Sequence, residues 1–154
     1  MTAYFDTSAL VPLVIAEPSS AICERAWNAA RNIAASSLTY VEVHTALAQA
    51  ERQGRITDAQ LAQASAAFED VWEQVTVVAP ADAIIRCAAR LGAEFALRGY
   101  DAVHCATAMS MSAEQFFAVT GDRALLDAWR TLGLATVDTN QDIGNLPAPS
   151  PPTV

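Results

Sequence analysis

Four acidic residues of this sequence lie close to points where short apolar runs give way to helical patterns: Asp6, Glu42, Asp101 and Asp122. In a fold built on parallel strands, ligands bind outside the carboxyl ends of the strands. Carboxylates that converge at this edge repel one another unless a cation lies among them. A site made only of oxygen ligands suits Mg²⁺ or Mn²⁺, and such an ion activates water and stabilises charge on a phosphoryl group. The pattern therefore indicates metal-dependent hydrolysis of a phosphodiester.

The same carboxylates have a second interpretation as helix caps. Asp6, Asp101 and Asp122 each precede a helical pattern, and aspartate is favoured where a helix begins. Taken singly, each of them is better explained in this way. Glu42 is not a cap, because it lies inside a helical pattern, where the alternative is a solvated helix face. The combination of all four favours the metal site, and we expect Asp6 to cap a helix and also face the metal.

Short apolar runs alternate with longer helical patterns along the chain, which predicts an α/β fold with a mainly parallel sheet. Thr57 with Gln60 forms a capping-box pattern, and Gly54 and Gly99 are expected to end helices. The predicted strands are residues 3–6, 33–35, 75–79, 116–119 and 135–137. The first predicted helix covers residues 7–16, and a second begins after Pro18. A third runs from Ser36 and Ser37 to Gln53. The remaining predicted helices are residues 57–74, 80–98, 100–111 and 122–132.

The length of 154 residues predicts one domain at residues 1–140, followed by a Pro-rich, flexible tail at residues 141–154. Three cysteines without CxxC spacing argue against a disulfide framework or a zinc site. The longest early apolar run is too short to span a bilayer, and the N-terminus has no basic leader region. We therefore expect a cytoplasmic protein that does not associate with membranes.

The charge balance excludes some functions. The net charge of -8 argues against a simple basic surface for nucleic acid, although an acidic cluster loaded with divalent ions presents positive charge. All nine basic residues are arginines. Haloacid-dehalogenase-like phosphatases and response-regulator receiver domains also place an aspartate after the first strand, but both use a lysine. The phosphatases also need a second aspartate, where this chain has Ser8.

Four motifs in order give the sequence a family resemblance. YFDTSAL at residues 4–10, TYVEVHTAL around Glu42, YDAVHCATA at residues 100–108 and VTGDRALL at residues 119–126 together resemble a PIN domain. More narrowly, they are similar to the VapC-type ribonuclease toxins of bacterial toxin–antitoxin pairs. The similarity extends over nearly the whole chain, from the first strand to the helix after Asp122.

This resemblance implies a three-layer α/β/α sandwich and an acidic quartet of Asp6, Glu42, Asp101 and Asp122. Asp6, Asp101 and Asp122 are expected to hold Mg²⁺ (or Mn²⁺), with Asp6 and Asp101 foremost among the direct ligands. Glu42 is expected to bind the metal or to orient the attacking water. Ser8 and Thr120 match polar positions that shape such pockets. The implied activity is endonucleolytic cleavage of RNA to 5′-phosphate and 3′-hydroxyl ends. The implied partners are a second copy of the chain, in a homodimer, and a small VapB-like antitoxin whose C-terminal segment occludes the acidic site.

Three further residues near the motifs have open roles. His104 lies one helical turn after Asp101, where we expect a packed side chain or one that supports the site. Arg98 and Arg123 flank the acidic positions and could contact RNA phosphates, although surface arginines are common.

Two alternative functions remain open at the level of sequence. A PIN-like fold without activity would serve as a binding or regulatory module, and metal binding without cleavage would support that function. A PIN nuclease of RNA processing would have no antitoxin. An adjacent small gene for a DNA-binding protein would favour the toxin.

Overall fold

Five parallel strands form the centre of the fold. A computed structural model describes residues 1–112 and 114–141. The strands are β1 (Thr2–Phe5), β2 (Asn32–Ser36), β3 (Val75–Val78), β4 (Phe116–Thr120) and β5 (Thr136–Asp138). They form one sheet in the order β3-β2-β1-β4-β5, and each neighbouring pair is parallel. The predicted α/β fold with a parallel sheet is confirmed.

Helices cover both faces of this sheet. In the described residues they are α1 (Thr7–Leu10), α2 (Ser20–Ala29), α3 (Leu38–Arg52), α4 (Asp58–Trp72), α5 (Asp82–Phe95), α6 (Gly99–Met111) and α7 (Arg123–Thr131). Successive side chains of a strand point to opposite faces. Phe5 packs in a cluster with residues of α1–α4, including Leu47 and Phe68. Tyr4 packs in a second cluster with residues of α5–α7, including Leu91 and Trp129. The result is a three-layer α/β/α sandwich.

The strand order places a crevice beside β1. The chain adds β2 and β3 on one side of β1, and then β4 and β5 on the other. Where the strand order reverses in this way, the connections after the two central strands diverge and leave a crevice outside their carboxyl ends. Asp6 follows β1 directly, and Asp122 comes shortly after the end of β4. The topology therefore brings these two carboxylates to one crevice, although 116 positions separate them in the sequence.

The first helix is shorter than predicted. The apolar pattern over residues 7–16 indicates one helix, but α1 is a single turn, followed by a 3₁₀ turn at Val11–Leu13. Pro12 lies in this turn, and proline has no backbone N–H to continue an α-helix. The prediction of a continuous helix to residue 16 was wrong for this reason.

Gly99 does not end a helix; it is the first residue of α6, whose N-cap is Arg98. The preceding helix ends at Phe95, and the chain turns at Ala96, which has a left-handed φ of 53°. The N–H of Ala96 donates to the carbonyl of Gly92 and closes the helix end. The prediction used glycine as the marker of the break, whereas an alanine adopts the unusual conformation.

The starts of α3 and α4 differ in how they are capped. At α4 the capping box is present, because Gln60 N donates to Thr57 Oγ1 (3.2 Å) and Thr57 N donates to Gln60 Oε1 (2.8 Å). At α3, Ser37 occupies the N-cap without a side-chain cap bond, while Ser36 Oγ accepts from Leu38 N at 3.3 Å.

Within residues 1–112 and 114–141, no helix is both long enough and apolar enough to cross a membrane. The domain boundary at residue 140 stays a prediction, as does the tail, because residues 142–154 lie outside the described part of the chain.

Candidate active site

An open cleft of about 330 Å³ lies at the carboxyl ends of β1 and β4, and all four carboxylates singled out from the sequence line it. They are Asp6, Glu42, Asp101 and Asp122. Ser8, Thr7, His104, Arg55 and Arg98 also line this cleft. A smaller hollow of about 160 Å³ beside Trp27 has one carboxylate in its lining, Glu24. The acidic chemistry is thus concentrated in the larger cleft.

Asp6 is a helix cap and a cleft residue at once. Its Oδ1 accepts the backbone N–H of Ala9 (3.1 Å), which caps α1, and the hydroxyl of Ser8 (2.8 Å). Its Oδ2 accepts the hydroxyl of Thr120 (2.7 Å). Asp6 is 4% exposed, and this burial raises the pKa of its carboxyl to about 6, while the nearby His104 and the hydrogen bonds act in the opposite direction. Ionisation of Asp6 is therefore unfavourable unless a further cation binds beside it.

The loop after β4 is held against Asp6 by the two predicted supporting residues. Ser8 Oγ accepts the backbone N–H of Gly121 (2.7 Å), and Thr120 Oγ1 accepts that of Asp122 (2.9 Å). Asp122 in turn caps α7 by accepting from Leu125 N (2.9 Å). Ser8 and Thr120 therefore connect the two strand ends through their hydroxyls.

Glu42 reaches the cleft from α3 and is held by a buried histidine. Its Oε2 accepts from Thr7 Oγ1 at 2.8 Å and lies 2.7 Å from His104 Nε2. Burial alone would raise the pKa of Glu42, but the hydrogen bond and charge of His104, with Thr7, outweigh it and lower that pKa. His104 Nδ1 lies 2.7 Å from the hydroxyl of the fully buried Tyr4. His104 thus supports the site, one of the two roles expected from its position.

The carboxylates of the cleft act on the pKa of His104. Burial alone would lower the pKa of this imidazole, since water no longer solvates its cation. The hydrogen bond with Glu42 and the charges of Asp6, Glu42 and Asp101 outweigh burial, so the pKa of His104 is raised. The carboxylates around His104 therefore favour the protonated form of its imidazole.

Asp101 does not cap α6; it lies in the first turn, two residues after Gly99. Its Oδ2 accepts from Arg98 Nε at 2.9 Å, and Arg98 Nη2 also lies 3.5 Å from Asp122 Oδ2. The hydrogen bond with Asp101, together with the charges of Asp101 and Asp122, raises the pKa of Arg98. One guanidinium therefore bridges two carboxylates that belong to different elements.

The donor set fits a hydrated divalent ion better than an all-protein cage. In the residues that the structure describes, no three His, Cys, Asp or Glu side chains are gathered closely enough to hold a metal ion. Mg²⁺ usually keeps several waters and binds through one or two carboxylates plus substrate phosphates. The carboxylate oxygens of the cleft supply that kind of ligand, and Asp6 is a buried anion whose ionisation a cation would favour.

The sequence analysis did not single out Thr7 or Asp138. Thr7 bonds Glu42, although it was taken only as the first residue of a helix. Asp138 ends β5 with a buried side chain, accepts from Asn140 N (3.0 Å) and lies 3.7 Å from Arg123 Nη1. Its position after an apolar run is the same signal that identified Asp6. Arg123 is thereby paired with Asp138, which is outside the lining of the cleft.

Comparison with known proteins gives consistent matches. The family described as PIN domain matches residues 3–128. Ribonuclease VapC49 of Mycobacterium tuberculosis is 35% identical over 122 residues, which cover 79% of this chain and 85% of that protein. A structure of a toxin–antitoxin complex from Klebsiella pneumoniae superimposes with a TM-score of 0.64 at 18% identity, covering 91% of this chain and 99% of that one. PAE2754 from Pyrobaculum aerophilum superimposes with a TM-score of 0.66 at 24% identity, covering 90% of each chain.

We predict that Gly121→Ala disturbs the cleft. A Cβ at this position would lie 2.7 Å from Thr139 Oγ1 and 3.4 Å from Ser8 Oγ, so either the side chain of Thr139 or the loop that carries Asp122 must shift. We expect urea unfolding to show a loss of about 1–3 kcal/mol in the free energy of unfolding. Gly99→Ala is the control, because a Cβ there meets nothing within 4 Å and should change this free energy little. Equal changes in the free energy of unfolding for the two variants would contradict the close packing around Gly121.

We predict that Asp6→Asn stabilises the metal-free protein at neutral pH. The folded-state pKa of about 6 lies above the ordinary 3.8, so ionising Asp6 opposes folding above pH 6, and that cost fades as the pH falls toward 4. Asparagine removes the charge and can still cap α1. In EDTA, urea unfolding at pH 7.5 should show a gain on the order of 1–3 kcal/mol, and a smaller one at pH 4.5.

The control for this measurement is Asp127→Asn, because Asp127 is exposed on α7. It should leave the free energy of unfolding nearly unchanged at both pH values. A loss of stability in Asp6→Asn that is the same at pH 7.5 and pH 4.5 would refute the assigned cost of the buried charge.

Proposed function

The chain belongs to the PIN-domain family, and we propose that it is a Mg²⁺-dependent endoribonuclease, the toxin of a toxin–antitoxin pair. The observation that carries the proposal is the convergence of Asp6, Glu42, Asp101 and Asp122 on one cleft at the carboxyl edge of the sheet. The relative at 35% identity is named a ribonuclease, and a structural neighbour is titled a toxin–antitoxin complex; both support the assignment.

The four carboxylates have different roles in the proposed mechanism. Asp6, Asp101 and Asp122 would hold Mg²⁺ (or Mn²⁺). The bound ion would lower the pKa of a water molecule and offset charge on the phosphoryl group. Thr7 and His104 both contact Glu42 at Oε2, so we assign its Oε1 to orienting the attacking water. Attack by this water on phosphorus breaks the bond to the 3′ oxygen, and the products are a 3′-hydroxyl and a 5′-phosphate.

The RNA backbone needs positive charge in an otherwise acidic cleft. Arg55 and Arg98 line the cleft, and each is already paired with a carboxylate: Arg55 with Glu17 at 2.7 Å and Arg98 with Asp101 at 2.9 Å. We assign these two arginines to phosphates of the substrate, because a guanidinium binds phosphate oxygens in pairs. Arg123 is outside the lining of the cleft and has no role in this assignment.

The proposed partners follow the same assignment. We propose that a small cognate antitoxin occludes the acidic cleft, that the protein is a homodimer and that it acts in the cytoplasm. The three free cysteines agree with a reducing compartment. A neighbouring gene for a small DNA-binding protein, whose product blocks cleavage when added, would support the toxin over an RNA-processing nuclease.

We predict that the purified protein cleaves total RNA in Mg²⁺ and not in EDTA, and that Asp101→Asn reduces cleavage by at least about 100-fold, because it removes a charge that the ion needs. Asp127→Asn, at an exposed position outside the cleft, should cleave within about twofold of the native protein. Circular dichroism would check that each variant is folded, and analysis of the fragment ends should find 5′-phosphates.

Undiminished cleavage in EDTA would refute the metal-dependent mechanism. Metal binding without any cleavage, in a folded and antitoxin-free protein, would instead support a binding module that has lost its activity.

A further inference from the structure

Arg98 contacts two carboxylates of the acidic cleft at once. Its Nε donates to Asp101 Oδ2 at 2.9 Å, and its Nη2 lies 3.5 Å from Asp122 Oδ2. Asp101 comes from the first turn of α6, while Asp122 comes from the loop after β4. The side chains of Asp101 and Asp122 are 15% and 27% exposed. A single guanidinium thus joins two of the carboxylates assigned to metal binding.

The contacts of Arg98 are of a kind that another cation can break. Its side chain is 78% exposed, so water and salt screen its attraction to both carboxylates. The longer of the two contacts, 3.5 Å, is a weak one. By contrast, Asp6 and Glu42 are held by hydroxyl groups and by the buried His104, none of which is exposed in this way. Of these contacts, the bridge through Arg98 is therefore the one that an incoming ion can break most easily.

We propose that Arg98 is a resident cation of the acidic site, which bridges Asp101 and Asp122 in the metal-free protein and which a divalent ion must displace in order to bind. The inference rests on the proposed metal-dependent function. It adds that competition with Arg98 determines the metal concentration at which the site becomes occupied. In the described residues there is no ready-made metal cage, and Asp101 and Asp122 both contact the guanidinium of Arg98.

The test is calorimetric titration of Mn²⁺ into the full-length, RNA-free protein at low salt. Arg98→Ala removes the competing cation, and we expect Mn²⁺ to bind about three- to tenfold more tightly than in the native protein. Arg98→Lys keeps the charge but loses the planar fork that spans two carboxylates, so it should bind Mn²⁺ with an intermediate affinity. Asp101→Asn should weaken binding.

Arg55→Ala is the matched control, because it removes one positive charge from the cleft and leaves the bridge between Asp101 and Asp122 in place. Arg55 lines the same cleft, but its partner is Glu17, which is outside the acidic quartet. Its removal should change the Mn²⁺ affinity by less than about twofold, since only screened, long-range charge is lost.

The outcomes separate the inference from the function on which it rests. Tighter binding in Arg98→Ala, with Arg98→Lys between it and the native protein, supports displacement. Equal affinities of Arg98→Ala and Arg55→Ala, or an Arg98→Lys protein that matches the native one, would overturn it. Weaker binding in Arg98→Ala would also overturn it. If neither the native protein nor Arg98→Ala binds Mn²⁺, the proposed metal-dependent function fails, and the inference fails with it.

Magnetic resonance gives a readout that is independent of activity. In a ¹H–¹⁵N spectrum of arginine side chains, the Nε–H signal of Arg98 should shift as Mg²⁺ is added and should saturate with the binding isotherm. The signal of Arg86, whose exposed partner is Asp82, serves as the reference and should stay in place. An Arg98 signal that does not move while Mg²⁺ binds would contradict displacement.

Discussion

Repulsion among the carboxylates at the carboxyl edge of the sheet is the constraint on which the organisation of this site depends. Each of them is held by a different kind of group. Hydroxyls and a helix N–H hold Asp6, while a histidine and a threonine hold Glu42. An exposed arginine joins the remaining two, Asp101 and Asp122. These partners do not fully offset the burial of Asp6, whose pKa remains raised to about 6. The cleft is thus an anionic site that a divalent cation would stabilise.

The parallel sheet makes this concentration of charge possible. A strand buried on both faces is largely apolar, so polar side chains gather toward the end of the strand. The reversal of strand order beside β1 then opens a crevice at those ends. Asp6 shows how one residue serves the fold and the site, because the N–H groups of a helix start attract the same charge that a metal ion would bind. The helix cap and the metal ligand are compatible roles.

The sequence predicted the elements and the carboxylates because both depend on local pattern. Strand ends follow from apolar runs, and an aspartate after such a run is visible directly. What escaped prediction depends on distant contacts. Glu42 meets His104 across 62 positions, and Arg98 meets Asp122 across 24. Two errors were local: Pro12 shortened α1, and Ala96 took the left-handed turn that glycine usually marks. Asp138 was overlooked although it ends β5, much as Asp6 directly follows β1.

The most direct test of the acidic cleft as a metal site is anomalous diffraction from crystals of the protein soaked in Mn²⁺. A single strong peak in contact with the carboxylates of Asp6 and Asp101, with water completing its coordination, is the predicted result. A cleft without a peak at a saturating Mn²⁺ concentration, or a peak only at carboxylates elsewhere on the surface, would contradict it. In that case Asp6 and Asp122 would keep only their roles as helix caps.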